Sequence, residues 1–309
     1  MNERHRIALV GIGKIARDQH VPAIADSAVF SLAATASRNG RIDGIEAFTN
    51  LGRLLEARPE ISCVSLCTPP HARFADARRA LLAGRHVMIE KPPGASVAEV
   101  HALAALASDR NLTLFASWHS RHAAGVSHAR EWLNGKSVTR VEVVWREDVR
   151  HWHPGQDWVW EPGGLGVFDP GINALSILTE IHPRPFRLTK ADLAFPANRD
   201  TPIAAELEFV DATGIEMSAA LDWREERTQI WEIRIVCAEG TLLLSDGGAR
   251  LSIDGEPVEV GSNREYPSLY ARFAELIRER TSDVDVRPLT HVADAFMLGR
   301  RYEVEPFNF

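Results

Sequence analysis

The chain has 309 residues, is 45% hydrophobic and 25% charged, and carries a net charge of −7 with a pI near 6.0. Such a composition excludes a disordered chain, and the length suits two domains with sizeable cores. The acidic balance, with no basic run to reverse it, excludes a nucleic-acid surface and leaves a small molecule as the expected partner.

The polar start Met1 to Arg6 lacks a secretory apolar region, and no apolar stretch approaches bilayer thickness, so no membrane partner is expected and cytoplasm is the expected compartment. Cys63 and Cys67 fall in one expected strand, about 13 Å apart by strand rise, too far to bridge each other.

Alternating strands and helices fill the first third. Strand 7–10 leads into a helix over 13–27 and a strand over 30–37, one βαβ unit. A short helix over 51–57, an apolar strand over 61–67, a helix over 72–83 and a strand over 86–90 follow. Strands apolar on both faces imply a parallel sheet. A helix over 97–109 and a strand over 112–117 complete the pattern, which places a boundary near 120: residues 1–120 as a dinucleotide-binding domain and 121–309 as a substrate domain. Beyond it lie a helix over 127–133 and strands over 138–147, 187–194, 203–209, 214–222, 230–239 and 241–244. Their cleaner alternation suggests an open, mostly antiparallel sheet. Helices are expected over 165–179 and 269–278, with a short one after 290. The fold class is therefore α/β, a doubly wound parallel sheet followed by an α+β domain.

Gly11-Ile12-Gly13-Lys14-Ile15-Ala16 follows a strand and opens a helix, the arrangement that seats a pyrophosphate on a helix N-terminus, with Ala16 small enough for close helix–sheet packing. Where strand two ends, an acidic residue would grip ribose hydroxyls, but the chain carries Ser37-Arg38. A hydroxyl and a guanidinium favour a 2′-phosphate, so NADP is the expected cofactor, with NAD tolerated. Cys67-Thr68-Pro69-Pro70-His71 and Glu90-Lys91-Pro92 end two further strands, at the carboxyl edge where open α/β sheets hold ligands. The chain has only four lysines, Lys14, Lys91, Lys136 and Lys190. A lysine, unlike an arginine, can give up its proton.

These elements together resemble the glucose-fructose oxidoreductase / inositol dehydrogenase (Gfo/Idh/MocA) family, and within it the bacterial aldose 1-dehydrogenases, over essentially the whole chain. The family's GGGxLxDxGxH motif is similar to residues 163–173 here, with Asp169 matching and Asn173 standing where the family has histidine. The resemblance implies oxidation of an aldose at C1 to a lactone by hydride transfer to nicotinamide, with L-arabinose first among the sugars, then D-galactose and D-fucose.

Asp169 and Asn173, at i,i+4, share one helical face and can meet one ligand. Asp169 before Pro170 would also serve as an N-cap. Asparagine cannot exchange a proton at working pH, so the proton falls to Lys91 or Asp169. The expected sugar site adds His119, Glu147 at the end of the row Val141, Val143, Trp145, and His153, with Trp152 and Trp231 as aromatic candidates. The histidines 119, 122, 151 and 153 lack a zinc-ligand pattern, so no metal is expected. Two other readings use the same residues: an enzyme of this fold acting on another polyol or oxo-sugar, and a sugar sensor that binds NAD(P) without turnover. A monomer or a homodimer is expected.

Overall fold

The computed structural model describes residues 4–308, and the chain divides into two compact units, Met1–His119 with Glu265–Val286, and Ser120–Arg264 with Arg287–Phe309.

In the first unit six parallel strands run β1 (His5–Val10), β2 (Phe30–Ala36), β3 (Glu46–Phe48), β4 (Cys63–Leu66), β5 (His86–Glu90) and β6 (Leu114–Ser117). Their spatial order is β3-β2-β1-β4-β5-β6, so winding reverses between β1 and β4, the switch point at which such sheets hold ligands. Both faces are buried, as the apolar strands imply. Ala8, Val10, Val64, Leu66, Val87 and Ile89 face a core closed by the helices Leu51–Ala57, Pro70–Leu82 and Val97–Asp109. Ile7, Leu9, Cys63, Met88 and Phe115 face the other core.

That second face explains why the chain returns. The helix Glu265–Glu279 buries Tyr266, Leu269, Tyr270, Phe273 and Leu276 on it, completing a layer that the segment before 120 leaves open. A single division at 120 therefore describes only the first crossing of the chain. The first helix is also not uniform: residues 16–20 are π-wound before α-geometry resumes at Val21–Ala25.

The second unit is a nine-stranded sheet of β7 (Val138–Arg146), β8 (Phe186–Pro196), β9 (Ala204–Asp211), β10 (Glu216–Asp222), β11 (Ile230–Cys237), β12 (Gly240–Ser245), β13 (Arg250–Ile253), β14 (Glu256–Val258) and β15 (Arg300–Val304). The order is β14-β13-β12-β11-β7-β10-β9-β8-β15. The pairs β7–β10 and β8–β15 are parallel and the others antiparallel. Strands β3 and β13 to β15 have three to five residues each, too few for an alternation to declare itself. The helix Phe168–Ile181 covers one face, seated so tightly that a Cβ on Gly171 would lie 2.5 Å from Leu221 of β10.

Candidate active site

In the first unit the candidate residues gather at the carboxyl ends of β1, β4, β5 and β6. Gly11 leaves β1 at φ +85°, and a Cβ there would fall 2.8 Å from the amide nitrogen of Thr68, so the loop after β4 presses on a position only glycine fills. Gly13, two residues on, faces open space, the clearance a pyrophosphate needs beside a helix N-terminus. Ile12 is buried, whereas Lys14 and Ile15 are exposed, Lys14 pairing with Asp18 one turn along.

Ser37 serves the loop itself: its hydroxyl accepts the amide N–H of Gly40 at 3.2 Å and, more weakly, that of Ile12 at 3.4 Å. Arg38 is exposed and makes no hydrogen bond or ion pair with any described residue. Arg41, three residues on and not foreseen, is in the same position. Cys67, Thr68 and Pro69 are half-buried, and the Thr68 hydroxyl is enclosed without a hydrogen-bond partner. His71 is exposed in the first turn of the helix Pro70–Leu82. A fixed glycine turn, an open approach over Gly13, an unsatisfied Thr68 hydroxyl and two unpaired guanidiniums fit a dinucleotide phosphate.

Lys91 is half-buried at the end of β5, and the turn carrying it is tied down from two sides. Arg73, itself buried, donates to the carbonyls of Thr68 at 2.6 Å and Glu90 at 2.8 Å, and also reaches that of Pro92. Glu90, 3% exposed, turns its carboxylate back so that Oε2 accepts the N–H of Lys91 at 2.9 Å. Its Oε1 accepts from the Tyr266 hydroxyl at 3.1 Å and pairs with His20 Nε2 at 3.0 Å.

Burial works against charge on Glu90, but the hydrogen bond and charge of His20 outweigh it and hold the carboxyl down to about 2. His20 is fully buried too. Burial lowers its proton affinity, while Cys67, Tyr270 and Glu90 beside it raise it well above the ordinary value. The other ring nitrogen of His20 meets the Tyr270 hydroxyl at 2.8 Å. His119, after β6, is held within the same unit: Nδ1 lies 2.6 Å from Glu265, and the ring stacks on Tyr266 with centroids 5.4 Å apart.

In the second unit the candidate residues begin on the helix Phe168–Ile181. The cap position is Val167 and no side chain caps it. Asp169 therefore does not serve as an N-cap; it sits inside the first turn, 5% exposed, with Oδ2 3.3 Å from His153 Nε2. Asn173, one turn on, is half-buried, and its side-chain amide makes no hydrogen bond with the described residues. The loop ahead of the helix is set by Gly164, where a Cβ would lie 2.3 Å from the Trp158 carbonyl. His153 itself lies among rings, 5.3 Å from Trp223 and 6.5 Å from Trp158 by centroids.

Val141, Val143 and Trp145 form the expected buried row, and Glu147 follows it, 3% exposed. Its Oε1 accepts the Trp223 indole N–H at 3.2 Å and its Oε2 that of Trp231 at 2.8 Å, because the row ends between two indoles. Trp231 stacks on Trp145 at 5.9 Å and meets Trp152 at 5.3 Å, so the aromatic candidates form one cluster anchored on Glu147.

Sequence reasoning missed His20, Arg73, Tyr266, Tyr270 and Trp223. Only the i,i+4 spacing of Tyr266 and Tyr270 could have signalled a shared face, and their partners lie some two hundred residues away. Among the described residues no group of three or more His, Cys, Asp or Glu is placed to hold a metal ion, and no helix is long and apolar enough to cross a membrane.

Residues 5–117 match the family described as "Oxidoreductase family, NAD-binding Rossmann fold". The chain is 46% identical over 303 residues to galactose 1-dehydrogenase of Pseudomonas fluorescens, covering 98% of each protein. It is 55% identical to the crystal structure of D-galactose-1-dehydrogenase from Rhizobium etli, with a TM-score of 0.96 over 100% of this chain and 99% of that one. A 3-ketoreductase from Actinomadura kijaniata, solved with NADP and TDP-benzene, superposes with a TM-score of 0.85 over 98% of this chain and all of that one; at 17% identity it shares the fold alone.

Proposed function

The chain belongs to the Gfo/Idh/MocA oxidoreductase family, and from that premise we propose that it oxidises an aldose of the D-galactose type at C1, with NAD(P) as hydride acceptor and the lactone as product. The observation that carries the reading is the whole-chain likeness to two galactose 1-dehydrogenases. Those names favour D-galactose over L-arabinose, which the sequence alone puts first. L-arabinose and D-fucose have the same ring stereochemistry, differ at C5, and are proposed as further substrates.

Oxidation at an anomeric carbon removes a hydride from C1 and a proton from the hydroxyl on it, leaving a C=O bond. The nicotinamide, when bound, supplies the acceptor for the hydride. Lys91 is assigned contact with the C1 oxygen, where an amine stabilises negative charge as the proton leaves. Asp169 is assigned the proton. His153, at 3.3 Å, can take it onward. In this way residue 153 supplies the imidazole that the family carries at the position of Asn173, and Asn173, able to donate and accept, holds a neighbouring hydroxyl. Trp152 and Trp231 offer apolar faces to sugar C–H groups, with Glu147 fixing the Trp231 ring. His119, held against Glu265 and stacked on Tyr266, is assigned a place beside the sugar.

The Ser37-Arg38 turn supports NADP as the preferred cofactor, with NAD also used. A panel of aldoses with each coenzyme, followed by absorbance of the reduced nicotinamide, tests the whole reading. D-galactose, L-arabinose and D-fucose should exceed D-glucose and inositols in kcat/KM, and NADP should exceed NAD. If no aldose reduces either coenzyme while sugar binding persists, the protein is a sensor and the catalytic reading fails.

A further inference from the structure

We infer that His20 is a positioning residue for this reaction, acting through the Glu90 carboxylate to hold the main chain of Lys91 in place. The inference rests on the reading that Lys91 acts on the substrate oxygen. His20 is far from Lys91 in sequence and comes from the π-wound stretch of the first helix, where one extra residue per turn re-aims side chains. Its ring spans from the Tyr270 hydroxyl at 2.8 Å to Glu90 Oε1 at 3.0 Å, with Ser65 Oγ at 3.4 Å from the same nitrogen as Tyr270. Glu90 then passes the restraint on, because its other oxygen accepts the Lys91 N–H at 2.9 Å.

A pair of this kind is a poor way to gain stability. Taking an imidazole and a carboxylate out of water carries a desolvation cost that their attraction only roughly repays, and apolar replacements of such pairs are often neutral. What the pair does provide is direction. A carboxylate held at Oε1 by His20 and Tyr266 has one orientation left for Oε2, and that orientation fixes the residue bearing the amine. The remaining polar groups facing the pair are Cys67, Arg73 and His119, each near enough to influence the charge of one member.

The chain's four lysines make a direct test possible, since selective 15N-lysine labelling gives four amide signals and Lys91→Met identifies the one from Lys91. In the native protein this amide should lie downfield, exchange slowly and stay constant across neutral pH. In His20→Leu it should move upfield, exchange at least about tenfold faster and titrate as Glu90 loses its partner. Turnover should fall about tenfold to a hundredfold, the scale set by an ångström of misplacement, with coenzyme binding held within about twofold.

His20→Gln, which keeps an N–H toward Glu90, should recover most of both losses. In a Lys91→Met background His20→Leu should cost less than about twofold, because the residue it positions is gone. An unmoved Lys91 amide, or an equal loss in both backgrounds, overturns the inference. Should His20→Leu prove insoluble, the nearly isosteric Glu90→Gln gives the same comparison, and an unmoved amide there overturns it equally. Full activity in Lys91→Met would defeat the catalytic reading while leaving the amide result to stand on its own.

Discussion

Lys91 is held by ions and Asp169 by rings. Around Lys91 the groups are Arg73, Glu90 and His20, all buried, closing on main-chain atoms at both sides of one turn. Around Asp169 the fixed neighbour is His153, itself set against Trp223 and Trp158, with the unpartnered amide of Asn173 a turn away. The first arrangement admits one geometry. The second surrounds a carboxylate with flat surfaces and spare hydrogen-bonding capacity, which suits reading a ligand's shape. The contrast teaches that loosening the ties around Lys91 should act on turnover whatever the sugar, and that loosening the rings of the second unit should act on which sugar is used.

The largest effects should come from the two groups assigned to the proton and the oxygen. Lys91→Met is expected to lower kcat by about a thousandfold for every aldose, the scale of one lost stabilising group at a developing oxyanion. Asp169→Ala should lower kcat by about a hundredfold or more, as general bases do, and also raise KM. Asp169→Asn sharpens the comparison, since it keeps the shape and removes the base. A fall in kcat comparable to that of the alanine variant supports proton transfer, whereas a near-normal kcat would reduce Asp169 to a shape-reading residue.

The parallel sheet, the glycine turn and the placement of Lys91 were legible because their signals are local: apolar runs of both-face strands, a glycine pattern of fixed spacing, one lysine at a strand end. The return of the helix Glu265–Glu279 to the first unit was not legible, because an amphipathic helix declares that it has a partner without saying which. His20 was hidden for a similar reason. A histidine within a helix carries no mark of a π-wound turn, and its partner Glu90 is seventy residues on. In the second unit, the row ending at Glu147 could be read from alternation, but its acceptance of two indoles depends on Trp223 and Trp231 arriving from other strands. Asp169 before Pro170 had a cap's sequence, yet the cap falls two residues earlier, at Val167.

Glu147 gives the intermediate test. Glu147→Gln replaces one acceptor oxygen with an NH2 group, so the indole N–H of Trp223 or Trp231 loses its partner inside the protein. A buried donor left unsatisfied costs about 1–3 kcal/mol, so the melting temperature should drop measurably. The freed ring should raise KM for the preferred aldose about tenfold while kcat changes little, and the ratio of D-galactose to L-arabinose efficiencies should move. A change in kcat alone, equal for all sugars, would erase the difference between the two units.

The smallest effect belongs to Arg38. Its guanidinium is exposed, so a contact with a 2′-phosphate would be screened and worth about 1.4 kcal/mol, a factor of ten in affinity. Arg38→Ala is expected to weaken NADP binding about tenfold and leave NAD within about twofold, with Arg41 accounting for what preference persists. Raising the ionic strength should shrink the NADP advantage of the native protein in the same direction, because counterions compete for an exposed phosphate contact but not for the buried ties around Lys91. Equal weakening of both coenzymes would mean that Arg38 acts on the turn beside Ser37 and not on the phosphate.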